Sequence, residues 1–420
     1  MSPGEISPPP PSPPIRWIEG GVTAPAGFTA SGVRAGIKQE GLDLALVFSE
    51  NEAAVAGVFT RNTLAAAPVH LCRERVHRGK ARAVIINSGN ANACTGEPGE
   101  KDALAMARRT GEALGLAGDD QILVASTGIV GRRLPMAKIQ SAIPAAVSSL
   151  DTQGGEAAAK AILTTDLVPK TAAIEVELSG GSVRVGAMAK GSGMIRPRLA
   201  APEGAPPSPP QATMLAFVMT DASVAPADLR KTLIRAADDS FNRITVDGET
   251  STNDTVLLLA NGASGVGASA PADLETFQEA VSAVCLKMAH AIVRDGEGAT
   301  KFVTVRVRGA ADNRQARTAA FAIADSNLVK TALFGRDPNW GRIVSAAGAS
   351  GVEVRPETLR VKLNGAETFG GGRARPAGAK PLDGPEVEIE IDLGVADGTA
   401  TVWTSDLSYE YVRINAEYHT

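Results

Sequence analysis

The sequence predicts an α/β protein of the α+β type, with mixed, partly antiparallel sheets covered by helices. Helix-like and strand-like segments alternate along most of the 420 residues. The strand-like segments often come in pairs joined by short turns, which is not the pattern of a doubly wound parallel sheet. Aromatic residues make up only 4% of the chain against 44% hydrophobic residues overall, so the core must be built from Ala, Val, Leu and Ile. This length gives room for two domains.

Residues 1–16 hold seven prolines and neither the basic nor the apolar region of a signal peptide. They are expected to form a disordered tail. Segments 42–48 and 54–59 read as paired strands joined by the turn Ser49-Glu50-Asn51-Glu52. Segment 83–86 is a buried strand running into Asn87-Ser88-Gly89-Asn90-Ala91-Asn92-Ala93. Those amides suit the polar wall of a site, and equally an Asn-rich turn. Segment 100–116 is helical, and 122–125 is a strand that stops at Ser126-Thr127-Gly128. A hydroxyl and an unobstructed backbone N–H at a strand end are the parts of an oxyanion hole. A plain strand-end turn uses the same residue types.

Helices at 136–150 and 155–163 precede Thr164-Thr165-Asp166. Segments 171–178 and 182–188 form a hairpin over a Ser-Gly-Gly turn and deliver Lys190. The insert 198–211 carries five prolines and cannot be a regular helix or a central strand. Beyond it, 215–219 is a strand, 227–240 a helix and 240–254 a polar loop feeding the strand 255–259. The helix 274–293 ends in a Gly-rich loop around Glu297, before the strand 302–307. Segment 315–328 is expected to be one helix, 335–343 a loop with a rare Trp, and 364–384 a mobile Gly- and Pro-rich loop. Segment 386–393 alternates strictly, charged out and apolar in.

Composition excludes several function classes. The 42 basic and 46 acidic residues leave a formal charge of −4, with no basic stripe for nucleic acid and no polybasic segment for a membrane surface. Three cysteines without CxxC spacing argue for a reducing, cytoplasmic compartment. Four scattered histidines give no metal-ligand pattern, so no metal is expected. There is no apolar run of membrane-spanning length.

Ala212-Thr213 opens the apolar run 214–218. If that bond is cut, Thr213 becomes a new N-terminus whose hydroxyl is a nucleophile and whose α-amine, with a pKa of about 7.7–8, is its base. A Thr opening a buried strand is otherwise an ordinary β-branched strand residue. The company it keeps decides between these. FTRN at 59–62, INSGNANA at 86–93, STGIVG at 126–131, TTD at 164–166 and AKGSGM at 189–194 occur in order. ATML at 212–215, SFNRITVDGETSTNDT at 240–255, GEGATK at 296–301, RDPNWGRI at 336–343 and the ending DLSYEYVRINAEYHT follow. Together, across about 400 residues, these motifs resemble the ornithine acetyltransferase family, also called glutamate N-acetyltransferase.

The resemblance implies a self-cleaving, N-terminal-nucleophile-like αββα sandwich cut between Ala212 and Thr213. It implies an α chain, 17–212, and a β chain, 213–420, that stay associated and pair into a heterotetramer of two α and two β chains. Thr213 would be the nucleophile, with Thr127 and Gly128 as the oxyanion hole. Thr164, Lys190, Thr213, Glu297, Asn415 and Thr420 would bind substrate. The implied reaction moves acetyl from N-acetylornithine to glutamate without a cofactor, and acetyl-CoA stands as a possible second donor.

The chain departs from the family at one place. The family runs from an MI-x-P motif to ATML through two residues, whereas fifteen, 198–212, lie here between Pro197 and Thr213. Closing a longer loop costs little entropy, so cleavage is still expected, leaving 198–212 as a floppy tail on the first chain. An aminopeptidase or amidase of the same fold, an uncleaved non-catalytic relative and an acetyltransferase of secondary metabolism are the other readings. Intact mass under denaturing conditions separates cut from uncut chains. Two fragments meeting at Ala212 and Thr213 are expected, and a single chain that persists on long incubation contradicts the reading.

Overall fold

Residues Leu44–Thr60 form one continuous strand, and the rest of the fold is laid out on either side of it. The structure, a computed structural model, describes residues 15–202, 214–375 and 380–417. Its first elements are β1 (Arg16–Ile18), β2 (Phe28–Val33), the long β3 (Leu44–Thr60) and α1 (Ala67–Val76). Next come β4 (Lys80–Asn90), α2 (Gly96–Ala113), β5 (Ile122–Ile129), α3 (Met136–Ser148) and α4 (Gly155–Ala161). The hairpin of β6 (Lys170–Leu178) and β7 (Gly181–Lys190) precedes the two-residue β8 (Leu199–Ala200). Past Met214 lie β9 (Leu215–Thr220), α5 (Pro226–Asp239), β10 (Thr255–Ala260) and α6 (Pro271–Arg294). Then follow β11 (Phe302–Ala310), α7 (Asn313–Ala324), α8 (Asn327–Phe334) and α9 (Trp340–Gly348). The chain closes with β12 (Arg360–Leu363), β13 (Ala366–Gly370), β14 (Arg373–Ala374), β15 (Glu386–Asp392), β16 (Gly398–Ser405) and α10 (Tyr409–Glu417).

The long strand serves two layers. Its first part pairs with β2 and β4, while 54–59 pair with β10. One layer therefore holds β2, the start of β3, β4 and β5. The other holds β1, β6, β7, β9, β10 and the end of β3. Alternating side chains then make three cores. Phe28, Val47 and Ile86 of the first layer meet Met188, Phe217 and Leu257 of the second in the space between them. The opposite face of the first layer, with Leu46, Ile85 and Val124, packs on Met106 of α2 and Ile139 of α3. The opposite face of the second, with Ile174, Val218 and Leu258, packs on Leu233 of α5 and Val281 of α6. The order is helix, sheet, sheet, helix, which is the αββα sandwich.

A second sheet, in the order β14-β13-β12-β15-β11-β16, carries α7, α8 and α9 on a core of its own. The alternation expected at its β15 is present, with Val387, Ile389 and Ile391 buried. Local capping sets several helix starts. Proline occupies the first turn of α1, α5 and α6, where its missing N–H costs nothing. Asp312 and Ser326 cap α7 and α8 by accepting from Gln315 N and Val329 N.

Seven expectations need correction. The strand expected at 122–125 runs on as β5 to Ile129, the loop expected at 335–343 holds the start of α9 at Trp340, and Leu199–Ala200, inside the expected floppy tail, pair with β3 as β8. The turn at 49–52 does not reverse the chain. Both expected strands are strands, but they run on as β3, and its register against β4 shifts between Phe48 and Ala53. Segment 315–328 is two helices, because Ser326 starts a new cap inside it. Segment 364–384 contains β13 and β14, while 376–379 lie outside the described residues. The first strand opens at Arg16, inside the stretch assigned to the tail, of which residues 1–14 lie outside the described residues.

The register brings one set of strand ends together. Lys190 of β7 faces Leu215 of β9, Leu215 faces Thr255 of β10, and Thr255 faces Phe59 of β3. Every residue of β9 is buried. Phe217, fully buried between the two layers, is the largest side chain on β9. Truncating it leaves a large cavity, so Phe217→Ala should cost about 3–5 kcal/mol. Urea unfolding of a Thr213→Ala chain, which cannot cleave, measures this without interference. An unchanged midpoint would mean that the interlayer core does not depend on β9.

Candidate functional site

The ends of β4 and β5 run parallel, with Asn87 beside Ser126 and Gly89 beside Gly128. Amides lock these ends in place. Asn87 Nδ2 donates to Asn90 O at 2.8 Å, and Ser126 Oγ donates to Asn87 Oδ1 at 2.6 Å. Asn253 Nδ2, reaching over from the loop before β10, donates to Ala91 O at 2.7 Å and Ser126 O at 2.8 Å. Asn253 thus clamps the two layers together across the Asn-rich stretch. Asn87 and Asn90 belong to the strand itself.

Gly128 has φ +128°, and a Cβ there would lie 2.3 Å from the Gly89 carbonyl carbon, so no side chain fits. Thr127 beside it is buried. Lys190 Nζ crosses from the other layer and donates to Thr127 Oγ1 at 3.3 Å and to Thr164 Oγ1 at 2.6 Å. A lysine only donates, so the Thr127 oxygen accepts there and its own proton remains to be given to another group.

Two buried lysines and two aspartates support this arrangement. Lys190 Nζ lies 3.5 Å from Asp166 Oδ2. Asp166 Oδ1 accepts from Lys170 Nζ and from Gly191 N, each at 2.7 Å. Lys170 Nζ also donates to Asp295 Oδ2 at 2.5 Å. Burial pushes the Asp166 carboxyl up, but Lys190 and Lys170 outweigh burial and hold it well below the usual carboxylate range. Burial lowers the Lys190 ammonium from its ordinary value, with Asp166 opposing that shift.

A second cluster sits on the loop that follows β7. A Cβ at Gly193 would be 2.3 Å from the Glu297 carboxylate, so only glycine lets that carboxylate lie against the backbone. Glu297 N donates to Ser192 O at 3.0 Å, and Asn415 Nδ2 of α10 donates to Glu297 Oε2 at 2.8 Å. Asp247 accepts from Met194 N and, at 2.8 Å, from Ile195 N; burial raises its pKa to about 6. Tyr411 OH donates to it at 3.4 Å. On the strand side, Asp254 Oδ1 accepts from Met214 N at 2.9 Å. This carboxyl is fully buried, and burial raises its pKa to about 7.

Thr127, Gly128, Thr164 and Lys190 are therefore gathered at one end of the sandwich. Glu297 and Asn415 form a pair on the adjoining loop and helix. Ala212, Thr213 and Thr420 lie outside the described residues. The nearest described neighbour of the expected cleavage point is Met214, fixed by Asp254 and by Thr255 N, which donates to Met214 O at 3.2 Å. No group of metal-ligating side chains is present among the described residues, and no described helix is long and apolar enough to cross a membrane.

A family model described as the ArgJ family matches residues 29–420. The chain belongs to the ArgJ family. A protein of Symbiobacterium thermophilum called arginine biosynthesis bifunctional protein ArgJ is 48% identical over 415 residues, covering 97% of this chain and 100% of that one. A glutamate N-acetyltransferase of Methanopyrus kandleri is 45% identical over 406 residues, covering 94% of this chain and 100% of that one. Among solved structures, an ornithine acetyltransferase of Mycobacterium tuberculosis complexed with ornithine is 47% identical. It matches 44% of this chain and 100% of its own, with a TM-score of 0.43.

The family resemblance supplies the candidate donors and acceptors of this site but not what holds them. Asp166 stands third in the TTD motif and Asp254 in the Asn-Asp-Thr that opens β10, so both were in view as motif letters. Their roles depend on Lys170, four residues on, and on Lys190 and Met214, which only the register brings near. Lys170→Met would leave Asp166 and Asp295 without their shared ammonium. It should destabilise the uncleaved Thr213→Ala chain by about 3–5 kcal/mol in urea unfolding; a loss below about 1 kcal/mol would contradict the network.

The raised Asp254 pKa has a defined sign. The folded state holds this proton more tightly than the unfolded state, so stability from this group is highest at low pH. It declines by up to about 1.4 kcal/mol per pH unit as pH rises from about 4 toward about 7. Asp247 acts in the same sense up to about pH 6. In the Thr213→Ala background, Asp254→Asn should flatten the fall in unfolding free energy between about pH 5 and about pH 7. An unaltered pH slope would show that Asp254 does not carry the proton.

Proposed function

We propose that this chain transfers an acetyl group from N-acetylornithine to glutamate through an acetyl-enzyme on Thr213, after cleavage between Ala212 and Thr213. The observation that carries this reading is the convergence of Thr127, Gly128, Thr164 and Lys190 beside Met214, in a chain of the ArgJ family. In this reading the Thr213 hydroxyl attacks the acetyl carbonyl while its own α-amine takes the proton. The oxyanion is held by the Thr127 hydroxyl and the Gly128 N–H. The tetrahedral species collapses with loss of the ornithine amine, which receives the proton. Glutamate's amine then attacks the acetyl ester, gives up a proton, and leaves as N-acetylglutamate with the Thr213 hydroxyl restored.

The remaining residues suit two amino-acid substrates. Glu297 offers an anion to a substrate ammonium, while Lys190 and Asn415 offer donors to a carboxylate. Thr164 and Thr420 complete the set. The α chain 17–212 and the β chain 213–420 remain together and form a heterotetramer, in the cytoplasm and without a cofactor. Acetyl-CoA is a candidate second donor, a reading supported by the word bifunctional in the name of the Symbiobacterium relative.

Thr127→Val removes the hydroxyl while keeping the side chain's shape. The acetylornithine-to-glutamate rate should fall roughly 10²–10³-fold, with Thr213 still released as an N-terminus. Unchanged turnover would remove Thr127 from the reaction. Release of free acetate from N-acetylornithine at the same rate with and without glutamate would favour a hydrolase instead.

A further inference from the structure

Outside the site, arginines converge on an open cleft of about 620 Å³ between the loop after β7 and helix α7. Arg61, Arg196, Arg198, Arg314 and Arg317 line it, against two carboxylates, Asp238 and Asp325. In a chain with a formal charge of −4, this cleft has an excess of three positive charges. Like charges collected in a concave surface focus the field there and attract counter-ions.

Two of these arginines are held rigidly. Arg196 pairs with Asp325, Nε to Oδ2 at 2.8 Å, and lies over the Phe321 ring with its guanidinium 4.2 Å from the centroid. Its buried Nε makes no aligned hydrogen bond among the described residues. Asp325 is itself fixed by Thr245 Oγ1 at 2.6 Å. Arg317 donates to Asp238 Oδ1 at 2.8 Å and to Asn242 O at 2.5 Å. Arg61, Arg198 and Arg314 have no ion-pair partner among the described residues.

The backbone brings the free arginines to the fixed ones. Asn242 accepts from Leu199 N at 2.7 Å and donates to Leu199 O at 3.0 Å, pinning β8. β8 pairs with the end of β3, and Arg61 N donates to Arg198 O at 3.0 Å. Arg198 is the first residue of the insertion that sets this chain apart. Thr60 N, one residue from the cleft, donates to Asp254 O at 2.8 Å, so the cleft adjoins the site through a single strand.

We propose that this cleft binds a small organic diphosphate. Arg196 and Arg317 are the preorganised donors, and Arg61, Arg198 and Arg314 close on the outer phosphate oxygens. Guanidinium forks match phosphate oxygens in pairs, and a preorganised fork loses less freedom on binding. The volume lies within the range of small-molecule sites, about 300–1,000 Å³.

Calorimetric titration of the full protein with ADP and with inorganic pyrophosphate tests this. Saturable single-site binding that weakens as salt is raised is expected for both probes. The double variant Arg198→Ala/Arg314→Ala should bind each at least about ten-fold more weakly, with its melting temperature and its acetylornithine-to-glutamate rate retained. Equal affinities would assign recognition to the diphosphate alone, and tighter ADP would assign it to the whole nucleotide; either supports the site. No saturable binding of either probe up to millimolar concentration, or undiminished binding by the double variant, overturns it. Because the readout is binding, this result is independent of whether acetyl transfer occurs.

Discussion

A lysine buried at the end of a sheet must have a carboxylate buried with it, because neither charge tolerates that environment alone. Here Lys190 has Asp166, Asp166 has Lys170, and Lys170 has Asp295. The four groups come from the segment after α4, the two outer ends of the β6–β7 hairpin and the C-terminus of α6. Each satisfied charge therefore fixes a loop. Leu167 N adds a bond to Asp295 Oδ2 at 3.0 Å, and Gly191 N one to Asp166. The positions of Thr127, Thr164 and Gly193 relative to one another follow from this chain of pairs more than from any single strand pairing. Its worth is geometric, since a hydrophobic replacement of such pairs is often no less stable.

The opposite rim of the site is held less firmly. Helix α10 buries none of its described residues, and Tyr409 and Val412 are largely exposed. It is attached through Ser408 Oγ donating to Gly298 O at 2.6 Å, through Asn415 to Glu297, and through Tyr411 to Asp247. Few apolar contacts and a handful of polar ones place this element at the low-stability end of the molecule. The candidate site residues thus divide into a rigid set on the sandwich and a more easily displaced set on the last helix.

Much of this was legible in the sequence. The β6–β7 hairpin, the buried run of β9 and the alternation of β15 follow from local pattern and sit where they were expected. The strand expected to stop at Ser126 instead runs on as β5 through Thr127 and Gly128 to Ile129, with Gly128 placed where two backbones touch and no side chain fits. What local pattern cannot express is a strand that changes partners. Ser49-Glu50-Asn51-Glu52 carries turn-forming residues, yet the pairing of β3 with β10, some two hundred residues away, keeps the chain extended through them. Ser326 shows the reverse case, in which one capping hydroxyl outweighs a continuous helical pattern. Asp166 and Asp254 stand inside the motifs without a role, because a buried carboxylate is explained by its partners, and Lys190 and Met214 are distant in sequence.

The order of the main sheet interleaves the two halves of the chain. β9 and β10, from beyond residue 213, lie between β7 and β3, which come from before it. Neither half can complete this sheet alone, although the second half holds the whole of the smaller sheet. Made as separate polypeptides, the first would expose the edges of β7 and β3, and the second, beside its own smaller sheet, would offer β9 and β10 with no layer to join, both conditions that favour aggregation. Covalent continuity is then a requirement of assembly. A chain cut ahead of β9 would need that bond only as a tether while the strands thread between their neighbours, and could lose it once the hydrogen bonds on both sides of β9 have formed.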